Sequence, residues 1–126
     1  MTHFTSGELE VMQILWAHGE LKPAEIQEYF AREIKNPALR SVLKILVEKG
    51  HVSRRPVGKA YFYRARTRRK SAFHSMLRDL TEQFCEGSTR TLIFNLVQSE
   101  RLSDEDLAEL KRIANGGSTN PRREDR

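Results

Sequence analysis

The sequence predicts a mainly α-helical protein with a small β-hairpin wing, an N-terminal winged helix-turn-helix followed by a C-terminal helical dimerisation region. Three patterns support this fold class: three short helices with tight connections, two strands around a glycine turn, and three further amphipathic helices. We expect a winged-helix DNA-binding domain over residues 1–66, a helical dimerisation region over 67–115 and a disordered tail over 116–126.

Capping and proline signals mark the first two helices. Thr5 and Glu8 form a capping-box pattern, and the apolar stripe that follows them ends near Gly19. Pro23 suits the first turn of a second helix, which we expect to run to about Glu33.

The third helix and the wing follow in order. Asn36 and Pro37 predict a helix start with Asn36 as the N-cap, and Gly50 predicts its end. Residues 51–55 and 60–64 then have the composition of two strands, rich in aromatic residues in the second.

Three amphipathic helices occupy the second half. Thr67 or Ser71 opens the fourth helix, Ser88 can cap the fifth, and Ser103 begins a capping box for the sixth. Helices this short bury little apolar surface by themselves, so we infer a two-fold homodimer in which they pack against a second copy. The candidate dimerisation residues are Phe73, Met76, Leu77, Leu80, Phe84, Leu92, Ile93 and Leu96.

Positive charge is concentrated between residues 35 and 70. Twelve of these 36 residues are basic and one, Glu48, is acidic, which gives a net charge of +11. Residues 71–126, by contrast, have a net charge of −2. Because a helix followed by a basic hairpin suits a major groove and its flanking phosphates, the expected partner is double-stranded DNA.

The N-terminal turns of the third helix are expected to enter the groove. Arg40 is the best candidate for a bidentate contact to guanine, because its fork matches the N7 and O6 acceptors. The candidate DNA-binding residues are Asn36, Pro37, Ala38, Arg40, Ser41, Lys44, Arg54, Arg55 and Lys59. The alternatives are a solvated helix face and a charged hairpin that only protects a sheet edge. A winged helix that binds protein and has no operator is the second functional hypothesis.

Other functions find little support in the residues. The single Cys85 excludes an internal disulfide, the four histidines have no metal-ligand spacing, and no nucleophile has a base partner. We therefore expect no enzymatic activity, no metal and no cofactor. The lack of a long apolar run and of a secretory signal favours a cytoplasmic protein without a membrane segment.

Three stretches resemble the BlaI/MecI family of penicillinase repressors: residues 9–16, 40–50 and 59–63. The resemblance covers roughly residues 5 to 115. It implies a dimeric winged-helix repressor of an inverted-repeat operator. It also implies a membrane-bound sensor protease as partner, whose action leads to cutting of an Asn-Phe bond. That bond corresponds to Asn95-Leu96, a possible cleavage site here.

The chain also departs from the family pattern. Pro37-Ala38 replaces a common Thr-Thr pair and Ile45 replaces a basic residue, so the operator sequence is not carried over. Leu96 stands where the cut bond has Phe. The copper-responsive branch has a C-terminal cysteine cluster, and a single Cys85 disfavours that role.

Overall fold

The computed structural model describes residues 4–116 and contains, within that range, six α-helices and one two-stranded antiparallel sheet. The predicted mainly helical fold with a hairpin wing is confirmed. The chain divides into two compact units, with the boundary between His74 and Ser75. The elements are α1 (Ser6–His18), α2 (Pro23–Tyr29), α3 (Asn36–Lys49), β1 (Val52–Val57), β2 (Ala60–Ala65), α4 (Arg69–Phe84), α5 (Thr89–Ser99) and α6 (Asp104–Ala114).

The predicted capping box at the start of α1 is confirmed. The Thr5 hydroxyl accepts a hydrogen bond from the Glu8 amide at 3.2 Å, and the Glu8 carboxylate accepts one from the Thr5 amide at 3.0 Å. The same carboxylate is buried and lies 3.2 Å from Nζ of Lys49, the last residue of α3. The cap of the first helix therefore also ties it to the third.

Five fully buried side chains form the centre of the first unit, where α1, α2 and α3 meet. Burying each large aliphatic side chain contributes about 1.5–3 kcal/mol before cavity effects, which makes this cluster the main source of stability for the unit. The five are Met12, Ile26, Leu39, Leu43 and Leu46.

The prediction that the second helix extends to Glu33 is wrong, because α2 ends at Tyr29. Phe30 has extended backbone angles (φ −64°, ψ 136°), and the Gln27 side-chain amide donates to the carbonyl of Ile34 at 2.7 Å. This turn buries Ile34 in the core. Burial of an isoleucine outweighs the small gain from extending a short helix through polar residues.

The prediction that Asn36 is the N-cap of the third helix is also wrong. Lys35 occupies the N-cap position, Asn36 is the first helical residue and Pro37 the second. The Asn36 side chain instead accepts a hydrogen bond from Nε of Arg40 at 2.7 Å. Gly50 ends the helix in the left-handed conformation (φ 85°, ψ 9°), as predicted.

The wing is the antiparallel hairpin of β1 and β2. Val57 pairs with Ala60 across a two-residue turn, in which Gly58 has a positive φ of 62°. A side chain at that position would be strained, so glycine is favoured there.

A main-chain bridge joins the wing to the connection between α1 and α2. The amide of Leu21 donates to the carbonyl of Tyr63 at 3.0 Å, and the amide of Tyr63 donates to the carbonyl of Leu21 at 2.8 Å. Leu21, Tyr63 and Val52 are all buried in the core. No local sequence pattern indicates this bridge, which places the wing on the helical core.

Trp16 of α1 and His51, which lies between α3 and β1, also hold the segment that leaves the wing. Trp16 Nε1 donates to the carbonyl of Thr67 at 2.9 Å, and the amides of Arg66 and Thr67 donate to the carbonyl of His51. Nδ1 of His51 lies 2.7 Å from the Thr67 hydroxyl, and the His51 ring packs edge-on against Phe4. Burial lowers the pKa of His51, and the nearby Lys49 charge adds to this effect.

The predicted caps of the last two helices are confirmed. The Ser88 hydroxyl accepts from the amide of Thr91, and the Ser103 hydroxyl from the amide of Asp106. The fourth helix begins at Arg69, between the two predicted openers. Neither α5 nor α6 contains a buried residue.

No helix within residues 4–116 is both long enough and apolar enough to cross a membrane. Of the predicted disordered tail, residues 117–126 lie outside the described residues. The predicted boundaries at residues 66 and 115 stay predictions.

Leu43→Ala should lower the free energy of unfolding by about 2–5 kcal/mol, because it leaves a cavity at a fully buried position. The matched control is Ile45→Ala on the same helix, where the side chain is 41% exposed, and we expect a change within about 0.5 kcal/mol. Urea unfolding at one fixed protein concentration measures both. Equal losses would show that the core assignment is wrong.

His51 should make the protein less stable in mild acid. Its pKa is lowered in the folded protein, so the unfolded chain takes up the proton first as the pH falls below about 6.5. The stabilising contribution is therefore complete above that pH and is lost as the pH falls through the folded pKa. His51→Gln should flatten the dependence of the unfolding midpoint on pH between about 7 and 5. An unchanged slope would contradict this role.

Candidate nucleic-acid interface

The outward face of α3 displays most of the predicted groove contacts. The buried stripe of the helix faces α1 and α2, so the residues between its members project away from the core. The predicted contacts exposed on this face are Pro37, Ala38, Arg40, Ser41 and Lys44, and Ile45 and Glu48 are exposed on it as well. Small side chains next to two long basic ones leave room for base edges to approach the helix.

Asn36 is half-buried and orients Arg40 from one turn away. Its carboxamide oxygen accepts from Nε of Arg40, which leaves the two η nitrogens at the end of the guanidinium. Two η nitrogens in this arrangement have the geometry that matches the N7 and O6 acceptors of a guanine. Sequence reasoning placed Asn36 at the interface as a cap, whereas the structure makes it a positioning residue for Arg40.

The wing residues predicted as one set lie on different parts of the hairpin. Arg54 and Arg55 project from opposite faces, because side chains alternate along a strand. Arg54 lies over the ring of Tyr61, with 4.4 Å from its guanidinium carbon to the ring centroid. A hydrogen bond with the Tyr63 side chain raises the pKa of Arg54. Lys59 is exposed in the turn at the tip.

Arg55 differs from the other candidates because an acidic residue holds it. Its Nε and Nη2 each lie 2.8 Å from one oxygen of the Glu20 carboxylate. This hydrogen bonding lowers the pKa of Glu20 and raises that of Arg55, so both groups stay charged. Sequence reasoning missed Glu20. It is 35 positions from Arg55, and no local pattern marks the bridge that brings them together.

Further basic residues continue beyond the wing. Arg66, Arg68, Arg69 and Lys70 are all exposed. Arg66 and Arg68 lie in the connection from β2 to α4, and Arg69 and Lys70 are the first two residues of α4. In the described part of the chain, no group of three or more His, Cys, Asp or Glu side chains could hold a metal ion. Together these basic residues form a basic surface on a helix and a hairpin, which suits a polyanion.

The predicted dimerisation residues lie along α4 and α5. Met76, Leu77 and Leu92 are half-buried, and the remaining five are exposed within the single chain. Those five are Phe73, Leu80, Phe84, Ile93 and Leu96. Further exposed apolar side chains accompany them, namely Phe94, Val97, Leu107, Leu110 and Ile113.

The possible cleavage site lies inside a helix. Asn95 and Leu96 are exposed in α5, and the Asn95 carboxamide donates to the carbonyl of Thr91 at 2.9 Å. Proteases bind their substrates as extended chains, so cutting here requires α5 to open locally. The described structure places Cys85 in a buried position at the end of α4.

One known protein family matches most of the chain. The family model described as "Penicillinase repressor" matches residues 4–116. The chain is 23% identical over 111 residues to the penicillinase repressor of Bacillus licheniformis, covering 86% of this chain and 87% of that protein. It is 25% identical over 113 residues to the methicillin resistance regulatory protein MecI of Mammaliicoccus sciuri, covering 88% and 92%.

A solved structure is similar in fold. The YusO protein of Bacillus subtilis aligns with a TM-score of 0.51 and 19% identity, over 88% of this chain and 72% of that one. This likeness concerns the fold alone. The family match covers all the described residues, and it confirms the resemblance found in the sequence. The chain therefore belongs to the penicillinase repressor family, and it is a DNA-binding transcriptional repressor and not an enzyme.

Proposed function

We propose that this chain represses transcription as a two-fold dimer that binds an inverted-repeat operator, with α3 of each copy in a major groove. The observation that carries the proposal is the exposed face of α3, with its small residues and oriented Arg40, beside a basic wing on the same core. Two-fold symmetry of the protein would be matched by two-fold symmetry of the operator.

In this proposal α3 reads bases. Arg40 presents its η nitrogens to a guanine, while Ala38 and Ser41 approach neighbouring base edges or a thymine methyl group. Lys44 lies one turn further along the same face and contacts a base or a phosphate. The backbone geometry at Asn36 and Pro37 brings the positive end of the helix dipole towards the DNA.

The wing supplies sequence-independent affinity. Arg54 and Lys59 are exposed and contact phosphates or the minor groove in the proposed complex. Each neutralised phosphate would steepen the fall of log K with log salt by about 0.9. Arg55 can join them only by giving up its bond with Glu20.

The apolar surfaces of α4, α5 and α6 support a homodimer. Ten of their large apolar side chains are exposed in the single chain, and Phe84 is 76% exposed. Large apolar side chains exposed in this number are uncommon on a monomer and are usual at an obligate interface.

We also propose that loss of the dimer relieves repression, with cutting at Asn95-Leu96 by a partner protease as one route. A cut there divides α5 and detaches α6. Since binding of the second half-site becomes intramolecular only in a dimer, separation of the two copies removes the gain in affinity from two linked sites.

The first test is a fluorescence anisotropy titration against the DNA upstream of this gene. A scrambled duplex serves as the competitor, and the titration is repeated at two salt concentrations. Tight binding that resists the competitor, with two chains per site, supports the proposal. Equal competition by scrambled DNA would favour the second candidate, a winged helix that binds protein, and would contradict an operator in that region.

Arg40→Ala should weaken operator binding by about 1–3 kcal/mol and relax the preference at one base pair, because the guanine loses a bidentate partner. Titration against operator variants at that position, with scrambled duplex in parallel, measures this. If operator and scrambled DNA lose affinity equally, Arg40 is only a phosphate contact.

Ile93→Asp should convert the dimer to a monomer, because it places a charge in the apolar interface at a position that is exposed in the single chain. Gln98→Asp is the matched control, since it adds the same charge at an exposed polar position of α5. Light scattering after size-exclusion chromatography measures the mass. A dimer that survives Ile93→Asp would show that α5 is not in the interface.

A further inference from the structure

One acidic side chain lies within the basic surface of the wing. Glu20 precedes Leu21, and both of its carboxylate oxygens bind Arg55 at 2.8 Å. The contact is side-on, through Nε and Nη2, and leaves Nη1 as the nitrogen of the guanidinium outside the pair. The Glu20 side chain is 26% exposed and that of Arg55 63% exposed.

The bridge between Leu21 and Tyr63 explains why Glu20 is there. Leu21 and Tyr63 are bridge partners and both point into the core, so their chain neighbours point to the opposite face of the sheet. On that face, Phe62 pairs with Arg55, and Glu20 comes within reach of the guanidinium. The position of the carboxylate is thus set by main-chain hydrogen bonds and not by a free loop.

The ion pair changes what the wing offers to DNA. A guanidinium bound side-on to a carboxylate contributes no net charge, so it releases no counterions from the phosphate backbone. A phosphate that approaches Nη1 also comes close to the negative Glu20, and charges this near each other are only weakly screened at about 0.1 M salt. Hydrogen bonding from Arg55 keeps the pKa of Glu20 low, so its charge persists at neutral pH.

We propose that Glu20 is an electrostatic brake on DNA binding, which withholds Arg55 from the phosphate backbone and so limits the affinity of the wing for DNA of any sequence. The inference rests on the proposed function in assuming that the wing faces DNA. It assigns Glu20 a role in setting affinity and salt dependence and gives it no part in reading bases. In a repressor this limits the time spent on random duplex, where phosphate contacts supply nearly all the affinity.

The test is the affinity of the full chain for random-sequence duplex, measured by anisotropy over a series of salt concentrations. Glu20→Gln should raise the association constant about fivefold to tenfold at ~0.1 M salt, and should steepen the slope of log K against log salt by about 0.9, the effect of one added phosphate contact. Unchanged or weaker binding by Glu20→Gln would overturn the proposal, because removal of the carboxylate would then have released no phosphate contact from Arg55.

The chain offers a matched control. Glu10 and Arg32 form a similar side-on pair off the wing, at 2.7 and 3.1 Å, with side chains 33% and 56% exposed. Glu10→Gln changes the net charge by the same amount and should leave the salt slope unchanged. An equal gain from Glu10→Gln would mean that overall charge, and not Glu20, sets the affinity.

A double variant identifies the group that is released. Glu20→Gln combined with Arg55→Gln should return the association constant and slope close to those of the parent chain. A gain that persists in the double variant would overturn the role of Arg55. Because this test uses random duplex, its result is separate from that of the operator test. If the chain shows no operator preference but Glu20→Gln binds random DNA more tightly, the proposed operator is refuted and the brake is supported.

Discussion

The arrangement of the winged-helix unit depends on the main-chain bridge between Leu21 and Tyr63. A two-stranded hairpin is marginally stable in water. Within the described residues, β1 and β2 have one further strand contact, which is this bridge. Its two hydrogen bonds, with the burial of Tyr63 and Val52 beneath them, attach the wing to the core that carries α3. The basic residues of helix and hairpin therefore keep a constant spacing, which a polyanion with regular phosphate positions requires.

Signals within one helical turn predicted much of the fold. Thr5 with Glu8, Ser88 and Ser103 each satisfy an amide three residues away, so their residue types alone indicate where a helix begins. The other predictions failed because of packing in the core in one case and a side-chain hydrogen bond within α3 in the other. The end of α2 is set by the burial of Ile34, and Asn36 gives its side-chain oxygen to Arg40 instead of capping the helix.

The sequence predicts which residues form the candidate interface, but it does not predict which partners their side chains have. The outward face of α3 consists of the positions that remain when its buried apolar positions are excluded. Helical periodicity alone is enough to identify them. The state of each basic side chain depends on partners elsewhere: Arg54 stacks on Tyr61, whereas the adjacent Arg55 is paired with Glu20. A sum of charges along the sequence therefore overstates what the wing presents to DNA. The pairing of Arg55 is known only once the connection between α1 and α2, which carries Glu20, is placed beside the hairpin.

The second unit differs from the first in leaving most of its large apolar side chains exposed. The first unit buries its large apolar residues within one chain, whereas α5 and α6 bury none and leave their apolar faces to solvent. At about 25 cal/mol per Å² of apolar surface, covering those faces by a second copy is a large favourable term for the proposed dimer. Cutting α5 at Asn95 would remove that term and leave the core around Leu43 intact, since no residue of that core lies beyond β2. The released winged helix would stay folded and keep its contacts to one half-site, but it would lose the second half-site that the dimer holds close.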